Sequence, residues 1–322
     1  RRNKMNEWSL LIFTFMMNAT IGLTLITGLF ARRLAHYLSA ESYYRFMLLT
    51  LLVICGLAGL GSIASITHLG VPLNAPNAIR NVFSAWLSRE VAVTAIFVGC
   101  LGITFLWLWR TGKFSMLLFS ASLLIGLFDI YCMASIYRHT SILTWMDNNT
   151  YVMFFGAMLT LGATIFFLLL KILQRIGNKL GIEIPSAPFP IRWKWQLWGI
   201  MAFSLIGRLL YQPFYEHYLT RTLYSQTSVT FPLSPIEVYY SIGPLRMTSW
   251  ILATLAVLVC GYSLVKYLMG QTQQKSTESI FVYGGIMAII AEFALRYVFY
   301  SIHYITISQL LKMTIIRGII SP

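Results

Sequence analysis

Seven ionisable side chains stand where charge is expensive. His68, Glu90, Asp129, Arg208, Glu292, Arg296 and His303 fall within or at the ends of long apolar runs. Ionisable groups at such depth face a bundle interior and mark substrate, ion or proton pathways. His68 ends the second run, Glu90 begins the third, Arg208 is late in the sixth, and Arg296 and His303 are late in the eighth. Successive runs cross in opposite directions, so these five share one leaflet. Asp129 comes about fifteen residues into the fourth run, past the midplane toward the same side at 1.5 Å per residue. Glu292 is nearer the middle. At 100° per residue, Glu292, Arg296 and His303 project within about 40° of one another, a polar stripe on one helix. Two readings of the stripe stay open. One is an internal ion pair at i, i+4 spacing with His303 at the water interface. The other is a polar pocket in which acid, base and cation converge on one small molecule, and convergence from separate helices favours it. His36, His139 and His217 are read as interfacial.

The elements that position these groups follow from composition. The chain is 57% hydrophobic and 11% charged, with a mean hydropathy of +0.70, far from the roughly 25% charge of soluble domains. Eight runs are long enough to cross hydrocarbon as helices: residues 8–31, 46–66, 91–109, 114–136, 151–173, 195–211, 247–268 and 280–304. None alternates like a barrel strand. The expected fold is all-α: a polytopic membrane protein forming one domain over residues 1–322, a bundle of about eight transmembrane helices with both termini on the same face. That face is termed face A, the opposite one face B. The net charge of +14 is spread in short clusters between the runs rather than along one polar surface, which argues against nucleic acid as partner. Read as topology signals, the connections on face B carry twelve Lys and Arg, against seven on face A once the three before Met5 are set aside. Face B is therefore expected in the cytoplasm and the termini in the periplasm.

Every proline is read as lying in a connection or at the last position, so no helix is expected to be interrupted. Paired helix breaks mark inverted-repeat transporters, and neither breaks nor an internal repeat are visible. The longest connection, residues 212–246, is read as a docking surface on face A. Between the second and third runs, Ile79, Val82, Phe83, Trp86 and Leu87 recur at helical spacing opposite Arg80, Asn81, Ser84 and Ser88. This is either an amphipathic interface helix or an early start of the third helix. The first run lacks a cleavage site and is read as a retained helix, with Met5 a candidate natural start.

Cys55, Cys100, Cys132 and Cys260 lie singly inside apolar runs, so neither a metal cluster nor a disulfide framework is expected. No facing pair of histidines lies within the helices, so haem is not expected either. A protein of this kind that handles electrons must pass them to a partner.

Several of these residues stand in motifs that resemble the anchor subunit family of bacterial anaerobic dimethyl sulfoxide reductase. The opening Glu7, Trp8, Leu11, Ile12, Phe13 and Thr14 is similar to that family's start. More specific are Ile63, Ala64, Ser65, His68, Leu69, Gly70, Pro72 and Asn77, followed by Leu87, Ser88 and Glu90. The last run matches again in Ala291, Glu292, Arg296, Val298, Phe299, Tyr300 and His303. The resemblance implies a multi-pass anchor in the bacterial inner membrane, in contact with lipids and the quinone pool. Its partners would be an iron-sulfur subunit with 4Fe-4S clusters and a catalytic subunit with a molybdenum cofactor. It implies menaquinol as bound substrate, with His68 and Glu90 at the quinol site. Glu292, Arg296, His303, Arg80 and Ser65 are expected to line or support the pocket, and the role of Asp129 is open.

A quinol gives up two electrons and two protons, and a histidine suits the acceptor of a hydroxyl proton. His68 is expected to take that proton and Glu90 to relay it toward face A. The protein would then oxidise quinol without performing the terminal reduction. The alternatives are the anchor of a related complex of the polysulfide reductase type, which shares this chemistry, and a solute transporter.

Overall fold

The computed structural model describes residues 5–67, 81–180, 182, 185, 189–222 and 234–302. Helices account for nearly all of it, and among the described residues there is no strand. In order along the sequence they are α1 (Met5–Tyr37), α2 (Ala40–Thr67), α3 (Trp86–Thr111), α4 (Met116–Arg138), α5 (Asn149–Ile176), α6 (Ile191–Arg221), α7 (Pro235–Ser241), α8 (Gly243–Leu268) and α9 (Gln274–Ser301). Seven of these, all but α6 and α7, are long and apolar enough to cross a membrane. The eighth long helix, α6, has 31 residues and packs between α5 and α8. It buries Lys194 and Arg208, and those charges keep its sequence from reading as uniformly apolar.

The helices extend beyond the apolar runs because their ends are built from polar residues. Ser39 Oγ accepts the Ser42 N–H at 3.3 Å, so α2 starts six residues before Phe46, and Glu41 in its first turn pairs with Arg45. Gly112 closes α3 in the left-handed region at φ 67°, its N–H reaching the Leu108 carbonyl. Pro244 sits in the first turn of α8, where a missing N–H costs nothing.

Three expectations are corrected. Pro213 lies inside α6, beyond the apolar stretch of that helix. The proposed loop over residues 212–246 is largely helical: α6 runs on to Arg221, and α7 precedes α8, with residues 223–233 outside the described set. Tyrosines secure this extension. Tyr215 and Tyr218 donate to the Thr144 and Leu143 carbonyls at 2.6 and 3.0 Å, tying α6 to the short 3-10 turn Leu143–Trp145 between α4 and α5. Burial pushes the Tyr239 hydroxyl up to about 12, so it remains a donor to Gln212 Oε1 at 3.3 Å. The third correction is to the bound of the third run, and of the two readings of the segment before it the early start of the third helix is the one found. Residues 79–80 lie outside the described set; Asn81 to Ser84 form a turn and Ala85 is extended, so α3 begins at Trp86 rather than at Val91. The Arg89 guanidinium folds back on this turn, donating to the Val82 and Phe83 carbonyls at 2.9 and 2.7 Å and lying 4.3 Å from the Trp86 ring. It satisfies carbonyls that a continuing helix would otherwise have bonded.

The centre of the bundle is α1 against α5. A Cβ on Gly22 would stand 2.1 Å from the Met158 carbonyl, and one on Gly162 would meet Gly22, so the two helices touch backbone to backbone. Around this axis pack α2, α4, α6 and α9. Trp8 near the start of α1 meets Tyr297 near the end of α9, with ring centroids 5.6 Å apart, which puts the start of α1 and the end of α9 on face A.

Candidate functional site

Near face A, α3 and α4 bring two carboxyls together. Glu90 is in the first turns of α3, and Thr94 is one turn further along the same face. Thr94 Oγ donates to Asp129 Oδ1 on α4 at 2.8 Å. Asp129 is fully buried and Glu90 nearly so, and each lies within electrostatic reach of the other and of Cys132. Asp129 Oδ2 has no hydrogen-bond partner among the described residues. A buried carboxylate oxygen without a partner is costly, so this atom marks a place where a proton or a ligand belongs.

A pair of tyrosine hydroxyls joins α4 to α9 within electrostatic reach of Glu90. Tyr137, one residue from the end of α4, and Tyr300, one residue from the end of α9, hold their hydroxyls 2.6 Å apart. Tyr300 also reaches Thr14 Oγ on α1 at 3.1 Å. Both tyrosines are buried, and both lie within electrostatic reach of Glu90 and of Arg296. Arg296 lies over the Phe154 ring at 3.9 Å and is buried, with Nη1 lacking a partner among the described residues. Thus, among the described residues, one oxygen of an acid beside Thr94 and one nitrogen of a guanidinium in the aromatic cluster are left open.

Glu292 behaves differently from the ion pair that its spacing to Arg296 suggested. It is taken by Arg208 of α6, in a fork of 2.8 Å to Oε2 and 2.5 Å to Oε1. Arg208 also donates to Thr160 Oγ at 3.2 Å. The guanidinium stem fits because residue 156 is glycine: a Cβ there would stand 2.5 Å from Arg208 Cδ. The i, i+4 pair is displaced because a bidentate carboxylate partner on another helix satisfies more donors. Glu292 therefore holds α6 to α9 and leaves Arg296 Nη1 without a hydrogen-bond partner among the described residues.

Of the remaining expected site residues, Ser65 is half-buried in the last turn of α2. His68, Arg80 and His303 lie outside the described residues. Among the described residues no group of three His, Cys, Asp or Glu converges as a metal site. His139 Nδ1–H donates to the Ser135 carbonyl at 2.9 Å and the ring stacks on Trp86, in keeping with its interfacial reading. Sequence reasoning did not anticipate the Thr94–Asp129 bond or the Tyr137–Tyr300 pair. The spacing of Glu90 and Thr94 at i, i+4 was the available signal for the first. Nothing in one sequence pairs residues 137 and 300.

A small cavity of about 30 Å³ adjoins this cluster, lined among others by Asn149, Gln212, Tyr239, Arg246 and Phe299. It has room for one or two waters.

Comparison with known proteins adds what geometry alone lacks. A family model described as "DMSO reductase anchor subunit (DmsC)" matches residues 2–182. The protein belongs to that family. The matched part contains the opening motif and the segment from Ile63 to Glu90, while the α9 motif lies beyond it. Among similar relatives, the C subunit of anaerobic dimethyl sulfoxide reductase from Haemophilus influenzae is 32% identical over 169 residues, covering 51% of this protein and 58% of the relative. In Escherichia coli K12, the anaerobic dimethyl sulfoxide reductase subunit YnfH is 30% identical over 167 residues, covering 50% and 56%. The C subunit of anaerobic dimethyl sulfoxide reductase from the same organism is 30% identical over 172 residues, covering 52% and 58%. The matched region thus spans a little over half the length of these relatives. For an anchor subunit, a multi-pass membrane bundle is the architecture required, and the buried acids and tyrosines of α3, α4 and α9 are its chemically distinctive part.

Proposed function

We propose that this protein is the membrane anchor of a dimethyl sulfoxide reductase-like molybdoenzyme complex, and that it oxidises menaquinol beside Glu90 and passes the electrons to an iron-sulfur subunit. The observation that carries the reading is the buried pair Glu90 and Asp129 with its open oxygen. It stands at the face A end of α3, on the segment that follows His68, in a member of the anchor family. A quinol losing two electrons releases two protons, and the site holds two buried carboxyls. His68 takes the first hydroxyl proton and hands it to Glu90; Asp129 accepts the second. The hydrogen-bonded Tyr137–Tyr300 hydroxyls then carry the proton on toward face A in this reading. Arg296 Nη1, without a partner among the described residues, binds a quinol oxygen in this reading. Electrons leave to the nearest 4Fe-4S cluster of the partner. Ser65, Arg80 and His303 are proposed to support quinol binding as well, Arg80 and His303 lying outside the described residues. The anchor of a polysulfide reductase type complex would share every one of these steps and differ only in the catalytic partner.

In this reading the protein sits in the bacterial inner membrane with face A in the periplasm. Lys171 and Lys194, counted as face B loop cations, are engaged by Glu278, and the excess of basic residues on face B survives their removal. Cysteine labelling of intact cells addresses orientation: a thiol placed at residue 234 reacts and one at residue 179 does not, and the reverse pattern inverts the topology.

The central experiment replaces His68 by Leu and Glu90 by Gln in the intact complex. Quinol-dependent turnover falls by about 10² to 10⁴ for His68→Leu and less for Glu90→Gln, while a soluble dye that reduces the clusters directly still supports full turnover. Equal loss of both activities would make these residues structural. Purification in mild detergent should bring iron, molybdenum and two soluble subunits with the anchor.

A further inference from the structure

A second ligand site lies away from the acids, at the opposite face. Between α1, α5 and α6 a groove of about 470 Å³ opens sideways toward the hydrocarbon. Its walls are Leu29, Phe30, Leu159, Ile200 and Phe203, with Leu29 and Phe203 strongly exposed. At the face B end stand Arg33 and Gln196, hydrogen-bonded to one another. From Gln196 to Phe203 the groove runs seven residues along α6, about 10 Å at 1.5 Å per residue. Its floor is Gly199, where an added Cβ would meet nothing within 4 Å. A glycine that no packing requires leaves room for a molecule that is not protein.

The polar end defines what that molecule is. Arg33 is exposed, lies beside Phe30 at 5.2 Å, and has no carboxylate partner among the described residues. The same holds for Arg32 and for Arg192, which is one turn before Gln196 on α6. Arg33, without an acid among the described residues, stands at the mouth of an apolar slot, with the exposed Arg32 and Arg192 close to it and to Gln196 in sequence, and this calls for a ligand with an anionic head and a hydrocarbon tail. We propose that this groove is a specific site for one anionic phospholipid, its phosphate held by Arg33 with Gln196 and one acyl tail laid over Gly199. The geometry is that of a basic pocket between transmembrane helices binding a lipid head group. It does not depend on the quinol reading or on the orientation of the protein.

The test is native mass spectrometry of the protein as isolated from the membrane, delipidated and titrated with phosphatidylglycerol, phosphatidylcholine or inorganic phosphate. One phosphatidylglycerol is expected to be retained in preference to phosphatidylcholine, and millimolar phosphate does not displace it. Arg33→Gln weakens retention by about fivefold, the effect of one basic side chain near an anionic head group. Gly199→Leu fills the floor, where there is space for it, and abolishes retention. Both variants keep the thermal midpoint of the lipid-free protein, since Arg33 is exposed and Gly199 touches nothing. Equal retention of the two lipids would leave only bulk lipid in the groove and overturn the proposal. So would retention unchanged in both variants, displacement by phosphate, or occupancy by a quinone in place of a phospholipid.

Discussion

Glu278, near face B, divides its carboxylate completely. Lys194 and the Phe189 N–H share Oε1 at 3.0 and 2.8 Å, and Lys171 takes Oε2 at 2.7 Å. Lys194 is fully buried and Glu278 nearly so. Near face A, by contrast, Asp129 keeps one oxygen and Arg296 one nitrogen without a partner among the described residues, in equally deep surroundings. Buried ions are tolerated when every lone pair and proton is met. In the face B cluster each charged atom has a partner, and the cluster joins α5, α6 and α9 as a clamp. The face A cluster leaves its deficit at two points of opposite character, an acceptor and a donor, which is what a diol substrate would complete. The comparison separates charge that holds helices together from charge kept for chemistry, and substitution can test the separation directly.

The largest effect on folding is expected at the clamp. Glu278→Ala strands Lys194 and the Phe189 N–H in the interior and should destabilise the protein by about 3–5 kcal/mol, the usual cost of breaking a buried pair from one side. Thermal unfolding in detergent reads this. Replacing Lys194 by Met and Glu278 by Leu together should recover much of the loss, because apolar packing then replaces the uncompensated charge. A single variant with an unchanged midpoint would show that the clamp carries no load.

The face A residues should give the opposite pattern. Asp129→Asn keeps the acceptor for Thr94 and exchanges an orphan oxygen for an orphan amide, so stability should shift by less than about 1 kcal/mol. Quinol-dependent turnover should drop by roughly 10², the lower end for a positioned proton acceptor, with dye-dependent turnover intact. Arg296→Met should leave stability unchanged or raised, since an apolar side chain of similar length fits against Phe154 without a stranded nitrogen. The KM for quinol should rise by roughly tenfold, the loss of one hydrogen bond from a charged donor. If either variant unfolded the protein as Glu278→Ala does, the distinction between the two ends would fail.

The sequence made the helices legible because hydrocarbon demands long apolar runs, and it placed Glu90, Asp129, Arg208 and Arg296 in one leaflet by depth alone. It could not pair them. Periodicity suggested that Glu292 would meet Arg296, four residues on; Arg208, 84 residues away in sequence, meets it instead. Lys171 and Lys194 were counted as loop charges because they flank apolar runs, and only packing reveals that Glu278 lies between them. Helix ends were underestimated for a related reason. The Ser39 cap, the first-turn Pro244 and the Arg89 fold-back are polar, and hydropathy does not register them.

The smallest expected effect is the most discriminating. Tyr300→Phe removes one hydroxyl from the series Thr14–Tyr300–Tyr137. Thr14 retains its bond to the Leu11 carbonyl at 3.2 Å, so the loss falls mainly on the Tyr137 hydroxyl, whose hydrogen bond with Tyr300 is broken. The stacking of this aromatic cluster survives, since Phe presents the same ring to Tyr137, Trp145 and Phe299. Destabilisation of about 1 kcal/mol is expected, the net value of one neutral hydrogen bond. A purely structural pair would stop there, and quinol turnover would follow the amount of folded protein. A pair that carries protons from Glu90 toward face A would also slow turnover per folded molecule, and the solvent deuterium effect on quinol oxidation would grow as proton exit becomes limiting. Wild-type turnover and an unchanged isotope effect in Tyr300→Phe would remove the tyrosines from the proton path while leaving the two carboxyls in place.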